Sequence, residues 1–168
     1  MTQLHMTQSR TRGVKGRFRG LYARAFCHAT EDLERVKLAV LNTIGPAELS
    51  ARRTEGVHGN PITIVEGEVD SEDVGNFFSR LSGSDLNTLS DTLSKRIDEG
   101  CNLFVKIDKQ SAYLGQVVLA AGNDVISIRI RVSAFPAKCE VAEGVVKEAI
   151  DQELAWRQEQ PEARGPRP

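Results

Sequence analysis

The segment Val125-Ile126-Ser127-Ile128-Arg129-Ile130-Arg131-Val132-Ser133-Ala134-Phe135 alternates apolar and polar residues more clearly than any other stretch of the chain. Successive strand side chains point to opposite faces of a sheet. Ile126, Ile128, Ile130, Val132 and Ala134 therefore face one way, and Ser127, Arg129, Arg131 and Ser133 the other. A slip of one residue would bury both arginines, so the register of this strand is firmly set.

Other elements can be read around this strand. Arg19 to His28 predicts a first strand, with Tyr22 and Phe26 on one face and Ala23, Ala25 and Cys27 on the other. Thr30 is the expected N-cap of a helix whose apolar stripe is Leu33, Val36, Val40 and Ile44, and Gly45-Pro46 stops it. Residues 47–60 read as a polar loop with a tight reversal around Asn60. Pro61 to Val69 reads as a second strand. Ser71 is the expected cap of a helix carrying Val74, Phe77, Phe78 and Leu81 on one stripe. Leu86, Leu89, Leu93 and Ile97 begin another helix, with Gly100 at its expected C-terminal cap.

Three strands are expected next, at Asn102–Asp108, Leu114–Ala121 and Val125–Phe135, the last two joined by a Gly122-Asn123-Asp124 hairpin. Connections this short require a meander. Pro136 is expected to open a final helix with Val141, Val145, Ala149 and Leu154 on its core face. The order is β-α-β-α-α-β-β-β-α. It predicts an α+β fold with an antiparallel or mixed sheet and helices packed on one face.

The length of 168 residues, with 40% hydrophobic and 27% charged residues, suits one globular domain. Its expected bounds are 19–157, preceded by a flexible basic arm at 1–18 and followed by a disordered tail at 158–168. No apolar run approaches the roughly 20 residues needed to span a bilayer. Cys27, Cys101 and Cys139 form no CxxC pair, which argues against a disulfide framework or a zinc site. With no apolar segment of secretory type near the N-terminus, a cytoplasmic, reducing location is expected.

The formal net charge of -1 conceals segregation along the chain. Residues 1–30 carry six basic residues and no acid, residues 61–100 nine acids and three bases, and residues 101–139 five bases and two acids. A polyanion would be drawn to the first and third segments.

The sequence lacks GxxxxGK[ST] and a strand-linked GxGxxG, so neither ATP nor a dinucleotide is an expected cofactor. Glu66 and Glu68 share a strand face but have no evident third metal ligand. Cys27 and His28 are neighbours on a strand and cannot pair directly, and His58 lies on a separate loop. No catalytic residue or metal ligand is assigned, and the chain is not expected to be an enzyme. The basic features are more suggestive. Arg129, Arg131 and Lys106 lie on strands, Lys109, Gln110 and Tyr113 cluster after the Asn102–Asp108 strand, and Arg52 and Arg53 lie in the 47–60 loop. Guanidinium forks match phosphate, and an exposed tyrosine offers a base a stacking face. These eight residues are the candidate RNA contacts.

Several strings also resemble a known family. They are Arg24-Ala25-Phe26-Cys27-His28-Ala29-Thr30-Glu31-Asp32, Glu55-Gly56-Val57-His58-Gly59-Asn60-Pro61-Ile62, and Cys101-Asn102-Leu103-Phe104-Val105-Lys106-Ile107-Asp108-Lys109-Gln110 with Ala112-Tyr113-Leu114-Gly115. Val132-Ser133-Ala134-Phe135-Pro136-Ala137-Lys138 completes the set. Together they are similar to the archaeal RNA-binding proteins described as predicted exosome subunits. The DKQ and AYLG strings are the most specific element, with no evident structural demand for them. The resemblance implies a fold like that of the ribosomal protein that binds 5S RNA, a homodimer, and association with exosome subunits or ribosomal machinery. The expected function is noncatalytic RNA binding. The alternative is a protein-interaction or dimerisation module that does not touch RNA.

Overall fold

The computed structural model describes residues 16–160. Five strands form one sheet: β1 (Phe18–His28), β2 (Leu49–Glu55), β3 (Pro61–Asp70), β4 (Asn102–Asp108) and β5 (Val125–Val132). Their spatial order is β2-β3-β1-β5-β4, and every neighbouring pair is antiparallel. The helices are α1 (Leu33–Ile44), α2 (Val74–Arg80), α3 (Gly83–Asp91), α4 (Leu93–Arg96), α5 (Lys109–Tyr113) and α6 (Cys139–Glu159). A 3-10 turn at Ser71–Asp73 leads into α2. The α+β class and the helix-covered sheet are as expected.

The alternation in β5 decides which face is covered. Ile126, Ile128 and Ile130 are fully buried beside Leu21, Ala23 and Ala25 of β1 and Leu103, Val105 and Ile107 of β4. The helices pack onto this face. Phe77 and Phe78 of α2 are sealed in the core, and Phe78 meets Phe18 with ring centroids 5.5 Å apart. Each such side chain stabilises the fold by roughly 1.5–3 kcal/mol. In α6 the buried residues are Ala142, Val146, Ala149 and Ile150, while Val145 and Leu154 pack at the margin. The core stripe is thus rotated from the expected Val141-Val145-Ala149-Leu154 line.

Several elements differ from the sequence reading. Residues 49–55 are not loop but an edge strand, paired with β3 from Leu49↔Gly67 to Glu55↔Pro61. Six of its seven residues are exposed, so it has no apolar period to betray it. Edge strands tolerate this because they need no buried face of their own. Gly67 permits the close approach of this strand, since a Cβ there would lie 2.5 Å from Leu49 Cδ2.

The α1 cap is Asp32, not Thr30, and its carboxylate accepts from Glu34 N. Glu31 N first closes a turn onto His28 O, which delays the helix by two residues. Ser71 does not cap α2 with its side chain, and Gly100 does not end α4, whose C-cap is Ile97.

The expected three-strand meander is absent. Lys109–Tyr113 folds into α5 because Asp108 caps it, accepting from Ser111 N at 3.0 Å and Ser111 Oγ at 2.7 Å. Residues 114–121 then pass along the outer edge of β4. They make one bridge, Ile107↔Leu119, with Asp108 N donating to Val118 O and Ala120 N to Lys106 O. The last strand stops at Val132, and Phe135 beyond it is 97% exposed.

The expected arm reaches too far inward, because Phe18 is buried and Arg17 pairs with Glu148 at 3.2 Å. Gln158 and Glu159, placed in the expected tail, belong to α6. The remaining arm and tail residues, 1–15 and 161–168, lie outside the described residues. Among the described residues no helix is long and apolar enough to cross a membrane.

Candidate functional site

The sheet face turned away from the helices carries the chemistry. Its side chains follow from strand alternation and cross-strand register. Tyr22 of β1 lies between Glu68 of β3 and Arg129 of β5, and Arg129 in turn faces Phe104 of β4. One step along, Arg24 lies between Glu66 and Ser127, and Ser127 faces Lys106. A further step brings Phe26 opposite Ile64, which faces Arg52 on β2. At the other end Arg131 lies between Gly20 and Asn102.

The face is therefore divided. Glu66, Glu68 and Asp70 form an acidic column on β3. Arg24, Arg129, Arg131 and Lys106 form a basic field over β1, β5 and β4. Arg52 Nε binds Glu66 Oε1 at 3.0 Å, and the Tyr22 hydroxyl donates to the other oxygen of the same carboxylate. None of the four cations of the basic field has a carboxylate within ion-pair distance among the described residues.

Aromatic rings interleave with these cations. The Arg129 guanidinium lies 5.0 Å from the centroid of Tyr22, and that of Arg24 lies 5.7 Å from the centroid of Phe26. Such cation–π contacts hold the arginines over the sheet. The Nε atoms of both arginines are buried without a hydrogen-bond partner among the described residues. Phe26 and Phe104 are each 44% exposed, so both rings are reachable from this face. A depression of about 140 Å³ opens beside Tyr22, with Glu68, Asp70, Arg129 and Arg131 among its walls.

The eight expected contacts do not converge. Lys106, Arg129 and Arg131 share the open face. Arg52 reaches it but is tied to Glu66. Arg53 lies on the opposite side of β2, paired in register with Thr63. Lys109, Gln110 and Tyr113 stand apart, at the joint between α5, α1 and the end of β1.

Lys109 is only 3% exposed. Its ammonium donates to Phe26 O at 2.8 Å and to Glu31 Oε1 at 2.9 Å, and lies 2.7 Å from Asp124 Oδ1. Gln110 Nε2 donates to Asp124 Oδ2 at 2.8 Å. Asn42 Nδ2 of α1 donates to Ala112 O at 2.9 Å, and Arg35 stacks over Tyr113 at 5.5 Å. The DKQ and AYLG strings therefore do answer a structural demand. Asp108 caps, Lys109 and Gln110 tie the β1–α1 turn to the segment before β5, and Ala112 fits into the core. The lysine and Gln110 also hold the Asp124 carboxyl below its usual range, against the upward pull of burial.

Tyr22, Arg24, Phe26 and Phe104 were not among the expected contacts. The shared face of Tyr22 and Phe26 was legible from spacing. Its adjacency to Arg129 was not, because no local signal pairs β1 with β5.

The cysteine and histidines offer a weaker constellation. Cys27 is buried on the helix side, with Sγ 3.7 Å from His28 O and from Glu31 O. Burial first, then the Glu31 charge, raises its pKa and keeps the thiol protonated. His28 is exposed at the end of β1, and His58 is exposed in the loop between β2 and β3. Among the described residues no group of three His, Cys, Asp or Glu side chains is placed to hold a metal ion.

Comparison with known proteins gives a consistent picture. A family model described as RNA binding matches residues 21–132. A protein from Pyrococcus abyssi, named as an RNA-binding protein, is 39% identical over 142 residues, covering 77% of this chain and 92% of the relative. A protein from Methanocaldococcus jannaschii is 28% identical over 144 residues, covering 79% of this chain and 95% of the relative. The solved structure of a DUF54 protein from Methanothermobacter thermautotrophicus superposes with a TM-score of 0.72 at 32% identity, covering 80% of this chain and 98% of that one.

Proposed function

The chain belongs to the RNA-binding family, and from that membership we propose that it binds RNA against the uncovered face of its sheet without catalysing a reaction. The observation that carries this reading is the field of Arg24, Lys106, Arg129 and Arg131 interleaved with Tyr22, Phe26 and Phe104. Guanidinium groups suit phosphate oxygens, lysine adds point charge, and rings accept bases. The acidic column on β3 repels phosphate and confines the backbone to the β1–β5–β4 side.

Lys109, Gln110 and Tyr113 support the site rather than contact RNA in this reading. Lys109 fixes the end of β1 through its bond to Phe26 O, Gln110 holds Asp124 beside it, and Tyr113 packs under Arg35 of α1. Arg52 serves to neutralise Glu66, and Arg53 lies off the path.

The test is a titration of labelled single-stranded RNA with the wild-type chain and with the double variant Arg129→Ala/Arg131→Ala. Neither arginine makes an ion pair among the described residues, so the variant stays folded, with a small loss of stability from the Arg129–Tyr22 ring contact and from the Arg129 charge that favours ionised Asp98. Its affinity falls and its salt dependence weakens. Unchanged affinity in a folded variant would contradict the reading.

Homodimer formation and association with exosome subunits extend this proposal. A homodimer that leaves the RNA face free would use another surface, and the outer edge of β2 is one that pairs with no strand among the described residues. Sedimentation tests the first, and pull-down with the exosome core the second. A protein-interaction module without RNA contact would retain pull-down and show no RNA binding.

A further inference from the structure

The two half-exposed phenylalanines do not share one base. Phe26 and Phe104 are separated by two strand spacings and four residues along the strand. With strands ~4.8 Å apart and a rise of ~3.4 Å per residue, their Cα atoms lie roughly 17 Å from each other. Arg24, Ser127 and Arg129 occupy the diagonal between them. Resting on the RNA-binding reading above, we propose that the occupant of this face is single-stranded RNA, with different bases stacked on Phe26 and Phe104 and the intervening backbone over Arg24, Arg129 and Lys106.

The strand state follows from the rings. Bases in a duplex are stacked on one another and cannot lie on a protein ring, whereas unpaired bases can be splayed onto one. A face built for duplex shape alone needs cations and hydroxyls, and leaves two exposed phenylalanines without a role. Charge separation sets the path. A phosphate chain over β3 would meet Glu66, Glu68 and Asp70, while one running from Phe26 towards Phe104 passes over Arg24, Ser127 and Arg129. The Nε–H groups of Arg24 and Arg129, buried without an acceptor among the described residues, point the same way. Buried donors without acceptors are costly, and an arginine that swings towards a phosphate recovers its missing bond.

The experiment uses the full chain with substitutions Phe26→Leu, Phe104→Leu and Phe104→Trp. Leucine keeps the apolar bulk and removes the ring, so the fold is retained. Stacking on an aromatic contributes about 1–3 kcal/mol per base, or about 5- to 150-fold in affinity. Each leucine variant should lose single-strand affinity by a factor in this range with its salt dependence unchanged. The tryptophan variant should be quenched by a single-stranded oligonucleotide and not by the same sequence in a duplex. If wild-type RNA binding is strong and salt-sensitive but both leucine variants bind normally, the stacking inference fails while the RNA-binding reading stands. Equal or stronger binding of duplex overturns it likewise. If the wild type binds no RNA, both fail. If the leucine variants convert a dimer into a monomer, the face is an interface between copies, and the inference is overturned.

Discussion

The Lys109 ammonium, nearly sealed from water, lies 2.7 Å from the Asp124 carboxylate and is held from its other side by Glu31. This contact joins the β1–α1 turn to the segment before β5. It makes Lys109 a structural cation. Removing one partner of a buried ion pair costs about 3–5 kcal/mol. Asp124 is 45% exposed and Glu31 22%, so water compensates part of that loss. Lys109→Met should therefore destabilise the protein by about 3 kcal/mol in urea unfolding. RNA affinity of the folded fraction should keep the wild-type salt dependence. A stable variant with a shallower salt dependence would return Lys109 to the RNA contacts.

Asp98 should govern part of the acid sensitivity. Burial pushes its pKa up, but hydrogen bonds from the Asn102 backbone, the Asn102 side chain and Gly100 N, with the Arg129 charge, carry it below the ordinary 3.8. A carboxyl whose folded pKa is depressed stabilises the fold above its unfolded pKa, and that stability is lost as pH falls through the folded value. Asp98→Asn should therefore be less stable than wild type at pH 7, and the gap should close on acidification below about pH 4. Urea unfolding of both proteins across that range is the measurement. A gap that widens in acid would contradict the assignment.

Gly67 and Leu49 should be coupled. A Cβ on Gly67 would come within 2.5 Å of Leu49 Cδ2 and 3.3 Å of Ile44 Cδ1. Gly67→Ala should destabilise by about 1–3 kcal/mol through overpacking. Combining it with Leu49→Ala should recover part of that loss, a non-additivity read from a double-mutant cycle. Strict additivity would mean that β2 does not dock as described.

The same elements show what could be read in advance. Ile126, Ile128 and Ile130 announce their face because burial of one side of a sheet leaves a period of two. Phe77 and Phe78 announce theirs through helical spacing. β2 is silent, since Ser50-Ala51-Arg52-Arg53-Thr54-Glu55 buries nothing, and its pairing depends on a glycine 18 positions downstream of Leu49. Residues 114–121 mislead for the opposite reason. Their apolar run is that of a strand, but Asp108 caps a helix ahead of it and only one bridge survives. The candidate site was half legible. Arg129, Arg131 and Lys106 were visible as polar positions on strands, while Arg24, Phe26 and Phe104 acquire meaning only once β1 is placed beside β5. Lys109 was misleading as a surface cation, because burial by Glu31 and Asp124 is a tertiary event with no local signature.

The most direct measurement is the affinity of the wild-type chain for a single-stranded RNA oligonucleotide across a range of salt concentrations. Four phosphate contacts, from Arg24, Lys106, Arg129 and Arg131, predict a log–log slope of about -2.8, since each contact on a single strand contributes about -0.7. The Arg129→Ala/Arg131→Ala variant should fall to about -1.4 on the same count. A flat response, or no binding at low salt, would contradict an RNA-binding role for the open face.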